Sequence, residues 1–209
     1  MVEIRITDQR GEDPNVVEAV AEPETADGKK VISINSEDLT EDRYHRLRLI
    51  NWWNQKKLES SVVVIAGAGA LGNEAIKNLA LLGVGRLIVC DFDGIETSNL
   101  TRSVLFRERD VGRLKVEVAC ERATEMNPDT KAIAIHGDLR FVLGYGLVRR
   151  AGVILGCLDS LEARYYLNHH SMKTGTAYID AGLDHLNGDV MMFNPPEGPC
   201  YECQMKSGE

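Results

Sequence analysis

No run in the chain approaches the roughly 18 apolar residues that a membrane-spanning helix needs, which argues against a membrane protein. The first residues, MVEIRITDQRGEDP, are acidic and have no apolar h-region, so they do not read as a signal peptide. The expectation is a cytoplasmic protein. There is no GxxxxGK(S/T) segment, which excludes a P-loop enzyme, and there is no internal repeat. A disulfide framework is also missing: Cys90, Cys120, Cys157, Cys200 and Cys203 are odd in number and scattered. A basic surplus is absent too. Residues 1–42 hold 12 acidic and 4 basic side chains, and the remainder holds 20 of each. The acidic excess therefore belongs to a leader, and the neutral remainder carries no electrostatic footprint for nucleic acid.

What is present is an alternation of strand and helix signals in 209 residues, enough for one well-buried domain with extensions. Residues 1–39 read as a loosely attached acidic leader with β-like pieces at Val2–Thr7 and Lys30–Ile34. Thr40 is a candidate helix N-cap. Tyr44, Leu47, Ile50 and Trp53 follow at three-residue spacing, as one apolar helical face. Val62–Ala66 is a continuous β-branched run, as expected of a strand buried on both faces. The pattern predicts a helix to Leu82, a strand at Arg86–Cys90, a helix over Lys115–Met126, and strands at Ala132–Ile135 and Val153–Leu158. A helix over Ser160–Lys173 and strands at Ala177–Asp180 and Val190–Phe193 complete it. This predicts an α/β fold, a doubly wound, mostly parallel sheet forming a Rossmann-like nucleotide-binding domain.

Gly67, Gly69 and Gly72 lie between a strand and a helix. The first permits a tight turn, the second lets the backbone approach a phosphate, and the third lets helix pack closely on strand. The helix N-terminus then offers free N–H groups to an anion. Asp91, at the end of the next strand, is placed to bind ribose hydroxyls. The loop alone leaves NAD, FAD, S-adenosylmethionine and ATP open. Arg102 and Lys115 bear on that choice. Hydride transfer leaves a pyrophosphate intact and needs no such cations, whereas breaking a phosphoanhydride builds negative charge that preorganised cations stabilise. Read singly, either residue is an ordinary solvated charge, and Asp159 is a partner of a helix cap.

Together, Gly67–Gly72, Asp91-Phe92-Asp93, Ser98-Asn99-Leu100-Thr101-Arg102, Lys115, Asn127-Pro128 and Cys157–Arg164 resemble, in order and spacing, the motifs of the ThiF/MoeB/HesA and ubiquitin-activating family. The resemblance runs from about Arg43 to Cys203. It implies ATP-dependent adenylation of the C-terminal glycine carboxylate of a ubiquitin-like or sulfur-carrier protein ending in Gly-Gly, with release of pyrophosphate. It further implies that Gly67, Gly69 and Gly72 cradle phosphates and that Asp91 and Asp93 belong to the cofactor-binding set. Asn99, Arg102 and Lys115 would contact phosphates, and Asp159 would hold Mg2+. Arg46, on spacing alone a solvated helix charge, would reach across a homodimer to the ATP of the other subunit. Cys200 and Cys203 would be metal ligands, one half of a four-thiolate Zn2+ site. The second pair is missing, so residues 40–209 read as an adenylation domain truncated after its first CxxC. Two departures stand out: Ser103 replaces a common Gln, and Ser160 replaces a common Asn. No cysteine matches the thioester position of the family, so none is assigned a catalytic role. Competing expectations are an NAD(P)-dependent oxidoreductase, which leaves Arg102, Lys115 and Asp159 unexplained, and a non-catalytic partner subunit.

Overall fold

A computed structural model of the protein describes residues 42–183 and 186–206. The expected strand pieces at Val2–Thr7 and Lys30–Ile34 and the cap at Thr40 lie outside the described residues. The chain divides into two compact units, one ending at Lys56 and one starting at Lys57.

In the first unit, helix α1 (His45–Arg48) is four residues long. Asp42 sets its start, its Oδ1 accepting the Tyr44 N–H at 2.9 Å. The longer helix expected from Tyr44, Leu47, Ile50 and Trp53 does not form. Leu47 N–H donates to Tyr44 O, Ile50 N–H to Leu47 O and Trp53 N–H to Ile50 O, at 3.0, 3.0 and 2.9 Å. A strict three-residue spacing is the period of i→i+3 turns, not of the 3.6-residue helix, and successive turns satisfy it. Helix α2 (Gln55–Ser60) follows and runs across the boundary into the second unit.

The second unit is a six-stranded sheet wrapped by helices. Its elements are β1 (Val62–Ala66), α3 (Ala70–Leu81), β2 (Arg86–Asp91), α4 (Lys115–Met126), β3 (Lys131–His136), α5 (Leu139–Val142) and α6 (Tyr145–Val148). They continue with β4 (Val153–Gly156), α7 (Leu161–Thr174), β5 (Ala177–Leu183), β6 (Gly188–Phe193) and α8 (Tyr201–Lys206). The strand order is β3-β2-β1-β4-β5-β6. All neighbours are parallel except β5 and β6, which pair antiparallel with Tyr178 opposite Phe193.

Alternation along the strands explains the two layers. Val63, Ile65, Leu87 and Val89 point to one face and pack with Ile76 and Ala80 of α3 and Val116, Ala119 and Ala123 of α4. Val64, Ala66, Ile88 and Ile154 point to the other and pack with Leu139, Val148, Leu167 and Tyr201. Both faces are buried, which is why β1 reads as an unbroken apolar run. Helix α4 closes where Asn127, buried, donates its Nδ2–H to Ala80 O at 2.8 Å. Helix α7 starts at Ser160, whose Oγ accepts the Ala163 N–H, and stops at Gly175 with φ 70°. Among the described residues no helix is long and apolar enough to cross a membrane.

Candidate functional site

The chain order in the sheet reverses between β1 and β4, so the connections leaving their carboxyl ends run to opposite faces and open a crevice. A cleft of about 670 Å³ lies there, within the range usual for small-molecule sites. Eight of the residues expected from sequence line it: Gly67 and Gly69 after β1, Asp91 and Asp93 after β2, Asn99 and Arg102 from the following loop, Lys115 at the start of α4, and Asp159 after β4.

The three glycines meet different surroundings. Gly67 has φ 96°, and a Cβ there would stand 2.4 Å from the Cys157 carbonyl oxygen, so the two diverging connections touch at this point. Gly72 is not in the cleft lining; a Cβ on it would meet Gly67 O at 2.0 Å, which ties helix to loop. A Cβ on Gly69 would meet nothing within 4 Å. No side chain caps α3, so its first N–H groups face the cleft with the positive end of the helix dipole.

The acidic and basic groups are held by specific partners. Asp91 Oδ2 accepts the Ala68 N–H at 2.6 Å and Oδ1 accepts the Asp93 N–H at 2.8 Å, so this carboxylate ties the glycine loop to the end of β2. Lys115 is buried at the first position of α4, an unfavourable place for a cation, and its Nζ is 2.6 Å from Asp93 Oδ2. Asn99 Oδ1 accepts the Glu96 N–H at 3.0 Å, closing the short 3-10 turn Thr97–Asn99. Arg102 is exposed and donates to Ser98 O at 2.8 Å. Asp159 is exposed and stands directly before the α7 cap.

Two supports were not foreseen in the sequence. Asn73 is fully buried, and its side chain joins the glycine loop to the backbone of Leu105. No local signal sets it apart, since the same helix carries a second amide, Asn78. The second support is Arg164, quoted within the Cys157–Arg164 motif without a role. It donates to Leu158 O from Nε and Nη2, at 3.1 and 2.6 Å, and to Asp180 Oδ2 at 3.1 Å. Asp180 is fully buried and also accepts the Tyr178 hydroxyl at 2.6 Å. Burial pushes the Asp180 carboxyl above its ordinary range, against the pull of Tyr178 and Arg164.

The cysteines fall into two kinds. Cys90 and Cys157 line the cleft, but burial pushes their thiols up to about 12, the state of inert protonated groups. Cys200 and Cys203 lie outside the cleft lining with their sulfurs 3.6 Å apart. Burial opposes ionisation of Cys200, yet hydrogen bonds with Cys203 and Asn168 outweigh it and hold the thiol below its ordinary value. Among the described residues no group of three or more His, Cys, Asp or Glu side chains is placed to hold a metal ion. Arg46 is exposed on α1, in the first unit.

Known proteins with similar sequences agree with this architecture. The sulfur carrier protein ThiS adenylyltransferase of Escherichia coli is 37% identical over 150 residues, which cover 71% of this chain and 60% of that protein. The sulfur carrier protein adenylyltransferase of Thermus thermophilus is 32% identical over 170 residues, covering 78% and 63%. Among solved structures, E. coli MccB with AMPCPP and MccA superposes with a TM-score of 0.71 at 29% identity, covering 83% of this chain and 54% of that one. The chain thus spans somewhat over half the length of these relatives. Residues 41–209 match the model of the ThiF family, and the chain belongs to that family.

Proposed function

We propose that this chain binds Mg-ATP in the cleft and adenylates the C-terminal glycine carboxylate of a ubiquitin-like or sulfur-carrier protein, releasing pyrophosphate. The observation that carries the reading is the convergence of Arg102, Lys115, the uncapped start of α3 and Asp159 on one cleft at the switch point. Hydride transfer has no use for that set. The names of the E. coli and T. thermophilus relatives, and the AMPCPP and MccA in the MccB structure, support it.

In this reading Gly67 and Gly69 leave the backbone open to the phosphates, and Gly72 keeps helix α3 close beneath them. Asp91 takes the ribose with the lone pairs its two backbone contacts leave free. Asn99 and Arg102 hold the phosphates from the loop after β2. Lys115 exchanges Asp93 for a phosphate oxygen, a small movement because its ammonium already sits at the cleft wall. Asp159 holds Mg2+, which neutralises charge on the phosphates. No nucleophile of the protein is needed: the carrier carboxylate attacks the α-phosphate in line, and these groups supply position and charge.

Residues 40–209 form the adenylation domain and residues 1–39 an acidic leader. The protein acts as a homodimer to which Arg46 contributes in trans. Cys200 and Cys203 supply two thiolates to a structural Zn2+. The 3.6 Å between their sulfurs supports this, because thiolates on tetrahedral zinc stand about 3.8 Å apart. With two thiolates as the only ligands placed together among the described residues, zinc titrated into this chain binds weakly; tight stoichiometric binding without further ligands would contradict the assignment. The function itself is tested by ATP–pyrophosphate exchange with small proteins ending in Gly-Gly, and by calorimetry with Mg-ATP and NAD. Tighter binding of NAD than of ATP would overturn it.

A further inference from the structure

The cleft has two walls that come from distant parts of the sequence. One is the glycine loop and the start of α3. The other is the loop after β2, which carries Asn99 and Arg102. Asn73, on the first turns of α3, lies between them with no exposure to solvent. Its Nδ2 donates to Ala68 O at 2.7 Å and to Gly69 O at 3.0 Å. Its Oδ1 accepts the N–H of Leu105, 32 residues away, at 2.9 Å. Both amide protons and the oxygen are used, and a buried amide satisfied in this way is rigid and specific.

The far end of the link is equally fixed. Leu105 is fully buried in the core formed with Ile76 and Val116. Arg102 is three residues before it in a stretch bound by short turns, Arg102 N–H to Asn99 O and Phe106 N–H to Ser103 O, both at 3.2 Å. A shift of Leu105 is therefore passed to Arg102. No other natural side chain of this size offers two donors and an acceptor in the same plane. Serine reaches back one turn to Gly69 O but not on to Leu105. Alanine makes none of the three bonds.

We infer that Asn73 is a positioning residue: it sets the spacing between the glycine loop and the segment carrying Arg102, and so lets both walls grip one triphosphate chain. This rests on the nucleotide reading above. A ligand with a single phosphate needs only one wall. The property Asn73 governs is thus the preference for ATP over AMP, not nucleotide binding as such.

The test uses the whole chain, with Mg-ATP and AMP as calorimetric probes. Asn73→Ser and Asn73→Ala avoid adding charge, and the second gains helix propensity to offset lost bonding. In either, the ATP:AMP affinity ratio falls by roughly tenfold or more, the worth of one hydrogen bond to a charged group. AMP binding changes much less, and the Leu105 N–H loses protection from hydrogen exchange. Asn127→Ser is the control. It breaks a different buried amide bond, to Ala80 O, outside the cleft lining; it lowers Tm and leaves the ratio as in the parent. The inference is overturned by an unchanged ratio in the Asn73 variants, by a fall without loss of Leu105 protection, or by an equal fall in Asn127→Ser. A parent that binds ATP no tighter than AMP overturns the nucleotide reading and this inference with it, a failure seen without any variant.

Discussion

Arg164→Met removes a guanidinium and keeps most of the volume, and its cost depends on pH in a way the structure fixes. Two losses follow. Leu158 O gives up the Nε and Nη2 donors at 3.1 and 2.6 Å, which costs about 1–3 kcal/mol at any pH. Asp180, fully buried, keeps the Tyr178 hydroxyl and loses its cation. Breaking a buried pair in this way costs about 3–5 kcal/mol in all, so roughly 2 kcal/mol belongs to the stranded charge. Asp180 sheds that part by taking up a proton. Its carboxyl already lies above the ordinary range because of burial, and without Arg164 it rises further. A carboxyl whose folded value exceeds the unfolded value of about 3.9 binds more protons in the folded state between the two. Stability therefore falls as pH rises through that window and levels off above it. The variant's deficit is smallest in acid and largest above neutrality. At about 2–4 °C per kcal/mol for a domain of this size, the Tm deficit at pH 8 exceeds that at pH 5 by up to about 4–8 °C. Scanning calorimetry of parent and variant at both pH values reads this. Measured against Asp180→Asn alone, the double variant Arg164→Met with Asp180→Asn shows a deficit independent of pH. A single-variant deficit that does not change with pH refutes the stranded-charge argument.

Arg102→Ala or Lys115→Ala slows single-turnover adenylate formation by roughly 10²–10³ while ATP affinity falls much less; a rate within about threefold of the parent would show that transition-state charge is stabilised elsewhere. Gly72→Ala lowers Tm sharply, since its Cβ would lie 2.0 Å from Gly67 O, whereas Gly69→Ala, with open space around it, folds like the parent and binds ATP more weakly. Equal thermal stability of the two variants would contradict this division of labour. Arg46→Ala and Asp159→Ala are each nearly inactive alone and regain activity when mixed and allowed to exchange subunits, because one site of each mixed dimer is then intact. No recovery despite proven exchange excludes a trans role for Arg46.

Much of the sheet is legible in the sequence because local composition marks it. Val62–Ala66 is apolar on every position, and Lys115–Met126 is bounded by Asn127-Pro128, so both elements match the structure. The four-residue helices α5 and α6 span barely one turn each, too short to establish a 3.6-residue period. The antiparallel pairing of β5 with β6 is equally hidden, since alternation of side chains is the same in either direction. At the site, Asp91 is marked by its place at the end of β2, and Lys115 and Asp159 stand out only within the series of motifs. Asn73 and Asp180 matter through partners 32 and 16 residues away, at Leu105 and Arg164, and nothing local announces such a pairing.

The double tie at Asp91 has a kinetic side. A loop whose Ala68 and Asp93 N–H groups are already fastened gives up little conformational freedom when a ligand arrives. Association then needs no preceding rearrangement of this wall, and its rate is governed by encounter. The same tie complicates mutagenesis. Asp91→Ala releases both backbone groups at once, so its loss of affinity mixes a loosened loop with the loss of the proposed ribose contact. Comparing ATP with 2′-deoxy-ATP on the unmutated chain separates the two, because only the sugar changes and the loop stays fastened.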